Sequence, residues 1–382
     1  MEVNEKYTQT KLIEGYEQFN YIGDIFEITE INDKCAILKN INHGVGCGIS
    51  KEDLENYFES IGEKKFKARQ IYDWLYIKKV NDFKLMTNIK KDLQDKLSKE
   101  FSNNFIKIKT VQKSDLTNKY LFELIDGNYI EAVLMRHDYG NSVCVSSQVG
   151  CNMGCKFCES GRLKKVRDLE AYEIVQQIIL IEEDINARID SVVIMGIGEP
   201  FDNYDNIMNF IRIINNPIGI NIGARHITVS TCGLIPKINQ FMNEELQVNL
   251  AISLHASNDE IRNRIMPVNK AYSINDLMST LKEYIAKTNR RVTIEYVMLN
   301  SVNDSEYNAQ ELANLLRGMN VYVNLIPYNE TSHIEFKKSS KDTIMKFYDT
   351  LKQKGINVTI RREFGGKIDA ACGQLRAKEV MK

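Results

Sequence analysis

The sequence predicts an α/β chain: a partial barrel of about six βα units, preceded by a small helical domain. Three observations predict it. Strand-like runs rich in Val, Ile and Thr recur through the last two-thirds of the chain, at 120–125, 142–147, 191–195, 226–230, 248–254, 292–297, 321–326 and 358–361. Amphipathic helical stretches at 171–183, 274–287, 306–317 and 341–354 lie between many of them. A strand followed by a helix and another strand at this spacing makes a parallel sheet, and chemistry then falls at the C-terminal ends of the strands. By contrast, residues 50–103 carry only the 3.6-residue period.

Taken in order, residues 1–49 form an extension. Alternation over 21–29, a turn signal at Asn32-Asp33-Lys34 and the apolar run 36–38 predict a β-hairpin there. At Ser50 the pattern changes. Ser50 with Asp53 resembles a helix-capping pair, and Leu54, Tyr57 and Phe58 fall on one helical face. Ile71, Trp74, Leu75, Leu93 and Leu97 continue it. Residues 50–103 therefore read as a helical domain and 104–382 as the α/β barrel.

The 382 residues hold 50 Lys and Arg against 51 Asp and Glu, a net charge of −1, so any nucleic-acid contact must come from local patches. Two such patches are candidates. One is Lys64, Lys65, Lys67 and Arg69 with Phe66, Tyr72 and Trp74 nearby, and the other is Arg162, Lys164, Lys165 and Arg167. No apolar run reaches the length of a membrane span, and residues 1–15 are too polar for a secretion signal. The eight cysteines in such a chain suggest metal or redox chemistry rather than a disulfide scaffold.

Three of these cysteines form Cys151-Asn-Met-Gly-Cys155-Lys-Phe-Cys158, a C-x3-C-x2-C loop after a predicted strand. Three thiolates on one short loop can hold three irons of a cubane cluster and leave the fourth iron open to a chelating ligand. A structural zinc site is the competing reading. It needs a fourth ligand, and the nearest histidines, His137 and His226, lie outside the motif. Further on, Met195-Gly-Ile-Gly198-Glu199-Pro200 ends an apolar strand. Its glycines allow close backbone approach to a ligand, and its carboxylate can accept from an amino group. An ordinary strand-end turn has the same composition.

The C-x3-C-x2-C loop with Phe157 resembles the radical S-adenosylmethionine signature, and Gly198-Glu199-Pro200 resembles the element that holds the amino group of that cofactor. The chain from about residue 50 onward resembles the RlmN/Cfr family of radical S-adenosylmethionine RNA methyltransferases. The residues that carry the resemblance are Cys144-Val-Ser-Ser-Gln-Val-Gly-Cys151, Met195 to Pro200, Thr228-Val-Ser-Thr, Ser253-Leu-His-Ala, Arg264-Ile-Met-Pro-Val-Asn, Asn324-Leu-Ile-Pro-Tyr-Asn329 and Ile368-Asp-Ala-Ala-Cys372-Gly-Gln-Leu.

The resemblance implies a radical-SAM partial barrel, a 4Fe–4S cluster on Cys151, Cys155 and Cys158, and two S-adenosylmethionine molecules per turnover. Gly198, Glu199, Ser230, Ser253, Leu254, His255 and Asn329 match the family's cofactor contacts. Cys372 matches its methyl-carrying cysteine, Cys144 the disulfide partner of that cysteine, and Glu131 its proton acceptor. The implied reaction methylates an adenine ring carbon too electron-poor to attack a methyl donor. Cys372 first takes a methyl group, a hydrogen is removed from it by a 5′-deoxyadenosyl radical, and the carbon radical adds to the ring. Glu131 then takes the ring proton, and Cys144 releases the product from Cys372.

The implied partners are 23S rRNA, with tRNA as a second substrate, and an electron donor such as flavodoxin or ferredoxin. The implied protein is a monomer without a membrane. The motif around Asn329 and the tail after Cys372 are closer to the branch that methylates C2. Glu159 after the third cysteine, Lys367 and the extension 1–49 depart from that pattern and keep a C8 methyltransferase or a paralogue for another RNA open. An RNA-binding protein with a structural metal, and a radical enzyme for a small molecule, are the readings from other classes.

Overall fold

The computed structural model of the chain describes residues 49–101, 106–331, 333–361 and 373–380, and the backbone of three strands before them. It divides into two compact units, Met1–Phe105 and Ile106–Lys382.

In the first unit, β1 (Lys6–Thr8), β2 (Ile25–Asn32) and β3 (Cys35–Asn40) form an antiparallel sheet, in which Asn32 faces Cys35 across the β2–β3 turn. Three helices follow: α1 (Lys51–Ser60), α2 (Phe66–Tyr76) and α3 (Lys91–Glu100). Ser50 Oγ accepts the Asp53 N–H at 3.1 Å and starts α1. Leu54, Phe58, Ile71, Leu75, Leu93 and Leu97 are buried between the helices, as their spacing requires.

The second unit is one ten-stranded sheet with helices outside it. Its strands are β4 (Lys107–Lys113), β5 (Thr117–Glu123), β6 (Tyr129–His137), β7 (Gly140–Val145), β10 (Ser191–Ile194), β11 (Ile227–Thr231), β12 (Asn249–Ser253), β13 (Val292–Met298), β14 (Val321–Pro327) and β15 (Val358–Ile360). A short hairpin, β8 (Gln148–Val149) with β9 (Arg167–Asp168), brackets the cysteine loop. From β7 to β15 every neighbouring pair is parallel, and β6, β5 and β4 extend the other edge antiparallel. The order runs from β15 to β4 with no pairing that closes it, so the barrel is open, as predicted.

The strands bury one face under helices and turn the other toward the lumen. On β14, Val321, Val323 and Leu325 are buried while Tyr322, Asn324 and Ile326 alternate with them. The helices α4 (Ile274–Thr288), α5 (Glu306–Leu315) and α6 (Lys341–Gln353) each begin at a serine, Ser273, Ser305 or Ser340, whose hydroxyl accepts a backbone N–H. The sequence reading missed β4 because its exposed, lysine-bearing edge has no apolar periodicity. Among the described residues no helix is long and apolar enough to cross a membrane.

Candidate active site

The C-terminal ends of the parallel strands surround a cavity of 340 Å³. The loop after β8 brings Cys151, Cys155 and Cys158 to its wall. The turn after β10 adds Gly198 and Glu199, and β11 and β12 add Ser230 and Ser253 near their ends. His255 and Asn329 follow β12 and β14, while Glu131 and Cys144 come from β6 and β7. Eleven residues chosen from sequence thus share one cavity. Leu254 is fully buried beside it, and its carbonyl accepts from Arg262 Nε at 3.1 Å. Cys372 lies outside the described residues.

Close packing gives the glycines their reason. Gly198 has φ +112°, and a Cβ there would stand 2.6 Å from Ser147 Oγ and 2.7 Å from Gln148 Cβ. The Gly198 turn is therefore pressed against the chain leading into the cysteine loop. Glu199 is buried. Its Oε2 accepts the Cys232 N–H at 2.8 Å and its Oε1 the Phe201 N–H at 3.0 Å. Burial raises its carboxyl above the usual range, and these donors oppose that shift.

His255 has φ +57° and is held from both sides. Its Nδ1 accepts the Val297 N–H at 3.0 Å, and its ring meets Phe157 edge-on at 4.9 Å. Burial, with the Arg262 guanidinium nearby, lowers its pKa to about 3. It is neutral, and its one proton sits on Nε2. Ser230 Oγ and Ser253 Oγ lie 3.5 Å apart on adjacent strands.

Glu131 is held by three donors. Lys119 Nζ lies 3.0 Å from its Oε2, with both side chains buried. The Gly373 N–H donates to Oε2 at 2.9 Å and the Arg376 N–H to Oε1 at 2.5 Å. Gly373 immediately precedes α7 (Gln374–Val380), and a Cβ on it would meet Ser160 Oγ at 2.7 Å. The residue after Cys372 is therefore packed between Glu131 and the end of the cysteine loop.

Several working residues carried no sequence signal. Lys119 reads as an ordinary strand lysine. Arg262 is fully buried and joins strand ends, donating to the carbonyls of Cys232 at 2.7 Å and Leu254 at 3.1 Å. It stands two residues before the quoted Arg264 motif. Cys232, read as structural, lines the cavity and supplies the backbone N–H to Glu199.

Three of the four basic residues after the cysteines are committed to ion pairs. Arg167 makes a two-pronged pair with buried Glu173, at 2.7 Å to each oxygen, and a 2.6 Å contact to Asp126. Lys165 lies 2.8 Å from Asp168 and 2.9 Å from Asp202, and Arg162 2.9 Å from Glu159. Only Lys164 of the four makes no ion pair among the described residues. In the first unit, Lys65 and Lys67 pair with Glu59 and Glu63. The more exposed of these, Lys65–Glu59, is worth about 0–1 kcal/mol and can be exchanged for a phosphate contact.

The three cysteines are free of disulfides. Among the described residues, no three His, Cys, Asp or Glu side chains converge on a point that one ion could occupy. All three thiols line the one cavity, where each could take one metal atom of a cluster.

Fold and site together define a radical S-adenosylmethionine enzyme. Residues 145–316 match the model of the Radical SAM superfamily, which implies a 4Fe–4S cluster and S-adenosylmethionine. Residues 47–102 match the Ribosomal RNA large subunit methyltransferase N-terminal domain. The chain is 56% identical over 344 residues to a probable dual-specificity RNA methyltransferase RlmN of Enterococcus faecalis, covering 88% of this chain and 96% of that protein. The Listeria monocytogenes protein of the same name is 54% identical, over 88% and 94%. The crystal structure of a radical SAM methyltransferase from Sphaerobacter thermophilus superposes with a TM-score of 0.81 at 40% identity, over 86% of this chain and 97% of that one. The chain belongs to the RlmN family of radical S-adenosylmethionine RNA methyltransferases.

Proposed function

We propose that this enzyme methylates C2 of an adenosine in 23S rRNA, and of an adenosine in tRNA, through a methyl group carried on Cys372. One observation carries the reading. Glu131 accepts hydrogen bonds from Gly373 and Arg376, so the segment that follows Cys372 is tied to the cavity that also holds Cys144 and the three-cysteine loop. The names of the close relatives favour this reading over a C8 methyltransferase.

Cys151, Cys155 and Cys158 would hold the cluster. Gly198 and Glu199 would face the amino group of S-adenosylmethionine. Ser230, Ser253, the backbone at Leu254, the Nε2–H of His255 and Asn329 would line the rest of it. When bound, these groups supply a methyl group and a hydrogen-abstracting radical, with two S-adenosylmethionine molecules per turnover. As a thiolate, Cys372 accepts the methyl group.

Once the carbon on Cys372 is joined to the adenine and the adduct has given up its unpaired electron, which the metal group held by Cys151, Cys155 and Cys158 would accept, Glu131 takes the proton from the attacked ring carbon. The Cys144 thiolate then attacks the Cys372 sulfur. The S–S bond forms, the S–C bond breaks, and its electron pair goes to the carbon, which takes up a proton as the methyl group. An external reductant reopens the disulfide. The adenine must leave its stack to reach this cavity. The helical domain at 50–103, with Lys64 and Arg69 exposed, would hold phosphates without reading sequence. We infer a cytoplasmic monomer that receives electrons from flavodoxin or ferredoxin.

The test is product identity. Reconstituted enzyme, reductant, S-adenosylmethionine and protein-free 23S rRNA should yield 2-methyladenosine by mass spectrometry, and Cys372→Ala should yield none. 8-Methyladenosine would overturn the regiochemistry. Cofactor cleavage without methylated rRNA would overturn the substrate.

A further inference from the structure

We propose that Arg361 is a positioning residue for the release step: its guanidinium stands over Cys144 and favours the thiolate that attacks Cys372. The inference rests on the reading of Cys144 as the resolving thiol. Arg361 follows β15, at the opposite edge of the parallel sheet from β7, yet its side chain crosses the lumen. Its Nη1 lies 3.7 Å from Met195 Sδ and its Nη2 4.0 Å from Met135 Sδ.

The sheet register says what that position faces. Cys144 pairs with Val193 on β10 and with Val133 on β6. Met195 is two residues beyond Val193, toward the cavity mouth. Met135 is two residues beyond Val133, and because β6 runs antiparallel it lies toward the floor, opposite Ser142. A guanidinium that touches both methionines straddles the level of Cys144, and both residues line the same cavity.

Two thioethers are weak acceptors for five N–H donors. Among the described residues Arg361 makes no ion pair, so its charge is available to an anion in the lumen. Three charged groups bear on Cys144, namely Lys119 on β5, Glu131 on β6 and Arg361 itself, and Glu295 on β13 lines the same cavity. Lys119 and Glu131 neutralise one another at 3.0 Å. Glu295 is buried and its Oε2 accepts from the Asn324 amide at 2.9 Å; burial pushes it toward its neutral form, and the Arg361 guanidinium opposes that shift. Arg361 is therefore the cation that bears on both Glu295 and Cys144 and that no ion pair among the described residues neutralises. Burial pushes the Cys144 thiol up, and the Arg361 guanidinium is the largest influence against it, ahead of the Met195 N–H and Lys119.

The experiment follows alkylation of Cys144 against pH in the reduced, cluster-loaded enzyme, read by peptide mass spectrometry. Arg361→Gln and Arg361→Met each remove the charge, and either suffices. Each should raise the alkylation midpoint by about one pH unit or more. Product release at neutral pH should slow by about tenfold, as the thiolate fraction falls with such a shift. Arg361→Lys should restore most of both. An unchanged midpoint in a folded, cluster-loaded charge-free variant would overturn the proposal. So would a wild-type midpoint above about 10, which needs no variant. A Cys144→Ala enzyme that accumulates no protein–RNA adduct would instead sink the reading of Cys144 and leave the Arg361 effect on the thiol intact.

Discussion

Glu131 Oε2 accepts the backbone N–H of Gly373 at 2.9 Å across 242 residues of sequence, and Lys119 Nζ lies 3.0 Å from the same oxygen. One buried carboxylate therefore answers a buried ammonium and anchors the segment that begins just after Cys372. Glu131→Gln keeps the shape but leaves the Lys119 charge without its counter-ion. It should cost about 3–5 kcal/mol of stability, and Lys119→Met with Glu131→Gln should recover much of it. Denaturant unfolding of the single and double variants checks this. Both should lose methylated product, because the proposed proton acceptor is gone.

Gly198 tests the close approach at the cofactor side. Gly198→Ala places a methyl against Ser147 and Gln148 at a φ of +112°. It should destabilise the enzyme by about 1–3 kcal/mol and weaken S-adenosylmethionine binding. Melting and equilibrium dialysis read the two effects. Wild-type values in both would mean the turn has room that the geometry denies.

His255 gives a pH dependence with a definite sign. Its folded pKa of about 3 lies below the ordinary 6.5, because burial disfavours the imidazolium. Between those values the unfolded chain binds the extra proton and the folded chain does not. Stability is therefore lost as pH falls through that window, by up to about 1.4 kcal/mol per pH unit. His255→Gln should flatten the difference curve between pH 7 and pH 4 by about that slope. Equal slopes in both proteins would show that His255 is protonated in the fold.

The basic run after the cluster loop separates two roles that sequence treats alike. Arg167→Ala leaves Glu173 unpaired in a buried site and should lower stability by about 3 kcal/mol or more. Lys164→Ala should leave stability within about 0.5 kcal/mol. It should also weaken RNA binding, with a shallower salt dependence. Filter binding at several salt concentrations reads the second effect, and an RNA affinity unmoved by Lys164→Ala would remove it from the interface.

Much of the candidate site was legible because its residues are local. Cys151, Cys155 and Cys158 lie within one loop, and Gly198-Glu199 ends one strand, so the family resemblance could single out both from the zinc site and the ordinary turn that spacing alone left open. The barrel was legible for a similar reason: alternating strand and helix periods record which face of each element is buried. The open order of the strands and the serines at the helix starts agree with that reading.

Charge was different. Nothing along the chain distinguishes Lys119, paired with Glu131 in the interior, from Lys164 at the surface. Nor does it show that Arg167 is spent on Glu173, or that Arg361 reaches across the lumen to the methionines beside Cys144. Periodicity reports local burial, and it survives in the sequence. Whether a charge is neutralised depends on which distant side chain comes within about 3 Å of it, and only the closing of the sheet around the cavity decides that.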